Sequence, residues 1–332
     1  MMCERNEEIE ETAVWPRIRC CIRSALKPAW RSAVWLLSIM LPISLAVRLL
    51  KYAGVLDRIA AIFEPLFLLF GLPGESVLVY ITSCLINIYS AIAVIGMLSL
   101  DMRAVTILAL MCLIAHNLPV EATVQKRTGS SALQMVLIRI GVSLAAGFAM
   151  NRILPVSVGA VTAVTPAGAG SAASLAGVIM SWLGGASVLT VKVIVIVCLL
   201  MILDRILREF GVMRMLSRLL LPFLRVMGLP RDTAFMWIAA NTVGLAYGSA
   251  ILVDGVEAHG VSRKDADILN HHIAISHALL EDTLLFVAIG VSAFWITVPR
   301  LAAATLVVWG RRAWLACSGR AALSVREGPG EP

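Results

Sequence analysis

SVLVYITSCLINIYSAIAVIGMLSL, residues 76–100, runs for 25 residues without a charged side chain. A hydrocarbon core takes about 20 apolar residues as a helix, so this stretch is long enough to enter or cross a bilayer. It does not alternate apolar with polar residues as a barrel strand would. The run from Val188 to Leu203, broken only by Lys192, has the same character. The whole chain agrees: of 332 residues 59% are hydrophobic and 15% charged, and the mean hydropathy is +0.88. Soluble domains are roughly 45–50% apolar, which excludes an ordinary globular protein of aqueous compartments.

Working outward, apolar segments fall at 33–50, 74–98, 102–124, 131–153, 187–205, 231–253, 267–290 and 291–310. Two shorter ones, 55–70 and 212–227, carry Arg58 and Glu64, or Arg214, Arg218 and Arg225, and read as interfacial or re-entrant helices. The expectation is an all-α, polytopic membrane protein of about eight spans plus those two helices. The first dozen residues are acidic, unlike a signal peptide. Residues 16–31 carry five basic residues and no acid, which places them in the cytoplasm by the positive-inside rule. The net charge of +7 fits headgroup contacts better than nucleic acid, which is not an expected partner.

The stretch before residue 76 has a double. KYAGVLDRIAAIFEPLFLLFGLPGE (51–75) set on REFGVMRMLSRLLLPFLRVMGLPRD (208–232) pairs Gly54 with Gly211, Pro65 with Pro222, Gly71-Leu72-Pro73 with Gly228-Leu229-Pro230, and Glu75 with Asp232. With four residues inserted, AHNLPVE (115–121) falls on SHALLED (276–282), pairing His116 with His277 and Glu121 with Asp282. The same offset pairs Gly129 with Gly290 and Arg139 with Arg300. The chain is therefore two homologous repeats, 33–155 and 188–312. They are preceded by an acidic-then-basic cytoplasmic segment (1–32), joined by a Gly/Ala/Ser-rich linker (156–187) and followed by a tail (313–332). Whether the repeats are parallel or inverted turns on the number of crossings in each. Four per half cannot satisfy an external linker and internal arginines at 205–231 and 311–312 together.

Polar residues inside apolar segments mark sites or helix contacts. Ser83, Asn87 and Ser90 recur with Tyr80 at helical spacing, and Asn241, with Ser249 beside Gly244 and Gly248, falls on the matching segment. They read as a substrate-facing wall or as interhelical glue. Pro119 breaks the helix near His116 and Asn117, as Gly71, Pro73, Gly228 and Pro230 break their own segments. A mid-membrane acid costs about 2.5–3.5 kcal/mol on insertion scales, so Glu121, Glu281 and Asp282 need a purpose or a partner. Asn117 with Glu121 and His277 with Glu281 are four apart, a spacing that lies on one helix face. Arg139 and Arg300 are assigned a structural, charge-pairing role with these acids. A metal site from His271, His272, His277 and Glu281 has no recognised spacing. None is assigned, and no cofactor is expected. No phosphate loop, dinucleotide fingerprint or GxSxG elbow is present, and the seven cysteines form no paired pattern; the chain is not expected to be an enzyme.

These duplicated motifs, GLPGE with AHNLPVEATVQKRTG and GLPRD with NTVGLAYGSAI and SHALLEDT, resemble the Gate, or nucleoside recognition, domain. That domain occurs in concentrative nucleoside transporters, in the membrane part of the ferrous iron transporter FeoB, and in spore maturation membrane proteins. The resemblance covers 35–155 and 190–310 and implies a transport-related domain in the bacterial cytoplasmic membrane, without supplying a substrate. The expected function is a permease moving a small polar solute or ion through the repeat interface. Its substrate-binding residues would come from Ser83, Asn87, Ser90, His116, Asn117, Glu121, Asn241, Ser249, His277, Glu281 and Asp282. His116, Glu121, His277 or Asp282 would serve a coupling ion or proton. A homo-oligomer or membrane partner fits the alternative, a non-transporting assembly factor; a membrane-embedded metal-dependent enzyme is the third reading.

Overall fold

A computed structural model describes residues 14–160, 174–212, 215, 222–242, 253 and 261–326. The described residues contain no strand. The first repeat holds α1 (Val14–Tyr52), α2 (Val55–Leu68), α3 (Ser76–Leu85), α4 (Ile88–Ile95), α5 (Met102–Ile114), α6 (Leu118–Arg127) and α7 (Ala132–Ile153). The second holds α8 (Leu175–Glu209), α9 (residues 234–242), α10 (Arg263–Ser276), α11 (Leu279–Val287) and α12 (Ala293–Arg326). Three segments run beyond their sequence boundaries. Helix α1 begins inside the expected N-terminal segment, α8 begins inside the expected linker, and α12 continues past 312 into the expected tail.

The surface is that of a protein in lipid. Val188, Val191, Val195 and Leu199 line one exposed face of α8, and Leu133 and Leu137 are exposed on α7. In water such faces would have to be covered. Among the described residues, four stretches are long and apolar enough to cross a membrane: Met102–Arg127, Ala132–Ile153, Leu175–Leu207 and Ala293–Ser318. The first differs from the rest. Every residue of α5 except Arg103 is buried, as expected for a helix apolar on all sides. It is the central element, and the other three stretches are mostly exposed and face the lipid.

The orientation of the repeats follows from which residues touch. Helices α1 and α8 are equivalent by sequence, yet Arg17 meets Glu209 (3.0 Å), Ser24 meets Arg205 (3.2 Å), Trp182 meets Ser44 (3.0 Å) and Arg48 meets Ser181 (3.0 Å). One number rises as the other falls, so the two helices are antiparallel. The broken spans α5–α6 and α10–α11 agree: Gly290 packs against Met102 and Gly129 against Arg263. Equivalent spans that run antiparallel make the repeats inverted, related by a pseudo-two-fold axis in the membrane plane.

Inversion demands an odd number of crossings per repeat, and residues 74–98 provide the reason. Read above as a span, they form a re-entrant hairpin instead. Asn151 donates to Leu69 O (3.2 Å) and accepts from Arg103 (2.9 Å), so the residues before α3 and those after α4 lie at one end. Helix α3, about 15 Å long at 1.5 Å per residue, descends to mid-depth; its helix ends at Ile86 and Asn87, whose side chain caps α4 by accepting from Ser90 N–H (2.8 Å). Helix α4 then returns. The first repeat is left with three crossings, α1, α5–α6 and α7, and α8, α10–α11 and α12 are their equivalents among the described residues of the second. This arrangement puts Lys126, Arg127, Arg205, Arg263, Lys264 and Arg311 on the side of the basic segment 16–31, and the uncharged linker opposite. Four crossings per half could not satisfy these positions.

The GLP turn at 71–73 feeds this hairpin, and the one at 228–230 leads into α9. Gly71 (φ 67) and Gly228 (φ 75) are left-handed, and Leu72 and Leu229 N–H reach back to Phe67 O (3.0 Å) and Leu224 O (2.8 Å). These are the long-range bonds of a glycine-terminated helix. Pro73 and Pro230 follow, where a helix cannot continue.

Candidate functional site

Helix α5 stops at Ile114 and α6 starts at Leu118, with Asn117 between them in the left-handed region (φ 48). Pro119 sits in the first turn of α6, where its missing N–H is harmless and the preceding turn is disfavoured. The second repeat repeats the break without a proline: Leu280 stands there, and Ala278 takes φ 50. A left-handed alanine costs about 1–2 kcal/mol, so the break is imposed by its surroundings. Asn117 N–H donates to Ser83 O and Ala278 N–H to Ala240 O, both at 2.9 Å. The end of α3 thus holds the break of the first repeat, and α9 that of the second.

An arginine then satisfies the carbonyls each break frees. Arg139 on α7 donates from Nε to Ile114 O (2.8 Å) and from Nη2 to His116 O (2.8 Å). Arg300 on α12 donates to Ile275 O (2.5 Å) and His277 O (2.6 Å). Buried backbone acceptors without water need such partners. Both arginines are essentially fully buried, at 1% and 0% exposure. Arg139 also donates from Nη1 to Glu121 in a short buried ion pair. The counterpart is looser, with Arg300 Nη2 3.7 Å from Asp282 Oδ2. Glu121 and Asp282 both lie in first turns, of α6 and α11, where the positive helix end favours an anion.

At the meeting point the two histidines face each other, Nε2 to Nε2 at 3.0 Å. His116 Nδ1 lies 3.1 Å from Cys112 O and His277 Nδ1 2.8 Å from Ile273 O. A carbonyl only accepts, so both Nδ1 atoms carry a proton, and in the neutral rings both Nε2 atoms present lone pairs. Glu121 Oε1 is 3.1 Å from His277 Nε2 and 3.4 Å from His116 Nε2. Asp282 Oδ2 is 3.7 Å from His116 Nε2 and has no hydrogen-bond partner among the described residues. All four side chains are buried. At about 1.5 Å per residue the breaks fall roughly 20 Å and 15 Å from the two ends of the α5–α6 span, close to the midplane.

Of the other positions read from the sequence, Ser83 donates to Cys112 O (3.4 Å) beside the break. Asn87 is spent on capping α4, so the stripe through Tyr80, Ser83, Asn87 and Ser90 is not one continuous helix face. Ser90 and Asn241 are buried, the latter donating to Trp237 O (2.8 Å) while its Oδ1 has no partner among the described residues. Ser249, Gly244 and Gly248 lie outside the described residues. His277 and Glu281 do not share a helix face, because the left-handed Ala278 separates them. Glu281 instead accepts from Tyr89 (2.6 Å). His271 and His272 are likewise elsewhere: His271 contacts Asp267 and Gln134, and His272 takes Trp237 Nε1–H (3.1 Å) and Ser276 (2.7 Å). Among the described residues, the group of side chains able to hold a metal is His116, Glu121 and His277.

Some tie points had no sequence signal. Asn270 donates to Thr128 (2.9 Å) and Ser130 (3.0 Å), and Asp267 joins Ser130 (2.7 Å) to Arg311 (2.9 Å), binding the repeats at one end of the broken spans. Their first-repeat equivalents, Ala109 and Thr106, carry no matching charge or amide. Among the described cysteines, Cys21, Cys84, Cys112, Cys198 and Cys317 are free thiols. Cys20 is engaged in a disulfide, which its spacing did not announce.

Residues 33–131, most of the first repeat, match the Gate family, described as nucleoside recognition. The chain is also 32% identical over 278 residues to the uncharacterized membrane protein YvoD of Bacillus subtilis (strain 168), an alignment covering 81% of this chain and 86% of that protein. No solved structure matches. A duplicated set of broken helices in an apolar fold, a family match on one copy and a full-length relative lead to one conclusion: the chain is a membrane protein of the Gate, or nucleoside recognition, family.

Proposed function

We propose that this protein is a permease of the bacterial cytoplasmic membrane, moving a small polar solute or ion, and that His116, Glu121, His277 and Asp282 form its binding site. The observation that carries this is the 3.0 Å approach of His116 and His277 from repeats of opposite orientation, at breaks in two spans. Discontinuous helices of inverted repeats that meet near the midplane are how secondary transporters build a site accessible from either side, one repeat rocking against the other. Such a device is asymmetric at any moment, because the two repeats exchange conformations between its end states. The closed Arg139–Glu121 pair beside the open Arg300–Asp282 pair fits that. Charged groups at this depth are costly to keep for packing alone.

The test is thermal unfolding of the purified full chain across nucleosides, nucleobases, small organic anions and divalent metals, followed by uptake of any stabilising compound into sealed proteoliposomes. A compound at a hundred times its dissociation constant stabilises the folded state by about 2.7 kcal/mol. The expected result is a shift confined to one class, lost in Glu121→Gln and in His277→Ala, with uptake that follows the same pattern. If no class shifts the transition and both variants are merely less stable, the permease reading fails. The assembly-factor reading then takes its place.

A further inference from the structure

We propose that the ligand of the histidine pair is a single divalent first-row transition cation, held by His116 Nε2, His277 Nε2, Glu121 Oε1 and Asp282 Oδ2. Each Nδ1–H is committed to a backbone carbonyl, so with neutral imidazoles the two Nε2 atoms, Oε1 and Oδ2 are four acceptors that converge with no donor among them. Acceptors crowded to 3.0–3.7 Å need a positive centre. A shared proton is linear and joins only two of them, whereas a metal ion joins all four.

The spacing fits. Zinc binds imidazole nitrogen and carboxylate oxygen at about 2.0–2.1 Å, and a tetrahedron of that size has edges of about 3.3 Å. The measured separations, 3.0, 3.1, 3.4 and 3.7 Å, lie on either side of that value. Three of the four ligand atoms are already within 4.8 Å of one another. Asp282 Oδ2, buried and without a hydrogen bond among the described residues, lies 3.7 Å from both His116 Nε2 and Arg300 Nη2 and would close the fourth corner by a small movement. The Nδ1–H bonds to Cys112 O and Ile273 O, and the Arg139 bond to Glu121, are the outer contacts that fix the tautomer and aim ligands at a metal. Two imidazoles and two carboxylates suit zinc, iron, manganese or nickel. The arginines already balance the carboxylates, so a dication is held less firmly than by two free acids. That suits a cargo that must leave.

Binding stands on this geometry alone, and only the cation's role as cargo rests on the permease reading. The experiment uses the full chain in detergent, stripped with chelator and equilibrated with Co2+, with the metal counted and the visible spectrum recorded. One Co2+ per chain with the intense absorption of a four-coordinate ion is expected. His116→Gln and His277→Gln, checked by their thermal unfolding, should weaken binding by about 100-fold or more, beyond the 10–100-fold that follows loss of an outer contact. His271→Gln, in which a histidine bonded elsewhere is changed, should bind as the wild type does. Failure of the wild type to retain Co2+, or equal retention by the His116 and His277 variants, overturns the metal site. Uptake of an organic solute by that same protein would leave the permease reading standing. If Co2+ binds as expected while Zn2+ does not enter sealed proteoliposomes, the metal site holds and transport of the cation is refuted.

Discussion

Replacing Arg139 by methionine keeps the apolar stem and removes three bonds at once. Ile114 O and His116 O each lose a donor at 2.8 Å, and Glu121 loses its guanidinium. A buried carboxylate stripped of its partner costs about 3–5 kcal/mol, and each orphaned carbonyl about 1–3 kcal/mol. These contributions overlap, because the break can relax, so the working expectation is a loss of at least about 4 kcal/mol, set by the carboxylate. Against a total stability of about 5–15 kcal/mol that is severe. The diagnostic step is the double variant: Glu121→Gln in the Arg139→Met background removes the uncompensated charge and should recover about 3 kcal/mol. The same cycle on Arg300→Met and Asp282→Asn should give a smaller coupling, since that pair is 3.7 Å apart. Reversible unfolding in mixed micelles, followed by tryptophan fluorescence, measures all of these. If Arg139→Met lies within about 1 kcal/mol of the wild type, or the double variant is simply additive, the account of how the broken span is held is refuted.

Three further outcomes are expected. Gly71→Ala places a Cβ in the left-handed region and against the Asn151 side chain, and should cost about 2–4 kcal/mol; Gly54→Ala, left-handed but with open space around it, should cost only about 1–2 kcal/mol, both read as shifts in thermal unfolding. Asn270→Leu removes donors from Thr128 and Ser130 and should destabilise by about 1–3 kcal/mol in the same assay; no change would mean that this tie between the repeats is dispensable. Cysteines introduced at Lys126 and Arg311 should react with an impermeant thiol reagent from one face of sealed vesicles and one at Glu75 from the other; labelling of all three from one face would refute three crossings per repeat.

Much of the fold was legible because the chain states it twice. Gly71 and Gly228, His116 and His277, and Arg139 and Arg300 are too specific to match by composition, and each pair has the same backbone conformation or the same bonds. The crossing number was not legible. Hydropathy measures whether a segment can sit in lipid, and residues 76–100 can; it does not register that the chain stops at Ile86, is capped by Asn87 and turns back. Within the site, sequence spacing assumed unbroken helices. It therefore set His277 beside Glu281, whereas the left-handed Ala278 turns Glu281 towards Tyr89 and leaves His277 facing Glu121 of the other repeat. Contacts between repeats carry no local signal, and this also hid the metal-capable group behind the more conspicuous His271-His272 pair.

A single site formed by the two breaks, one from each inverted repeat, would be served from both sides of the membrane. It is tested most directly by Asn117→Cys and Ala278→Cys, in a chain whose seven native cysteines are replaced. A small charged thiol reagent is applied to either face of sealed membranes. Both positions already accept a left-handed residue with a side chain. The account predicts that both react in the intact membrane, the two equivalents from opposite faces. Reaction of neither until detergent is added, or of both from one face alone, would contradict it.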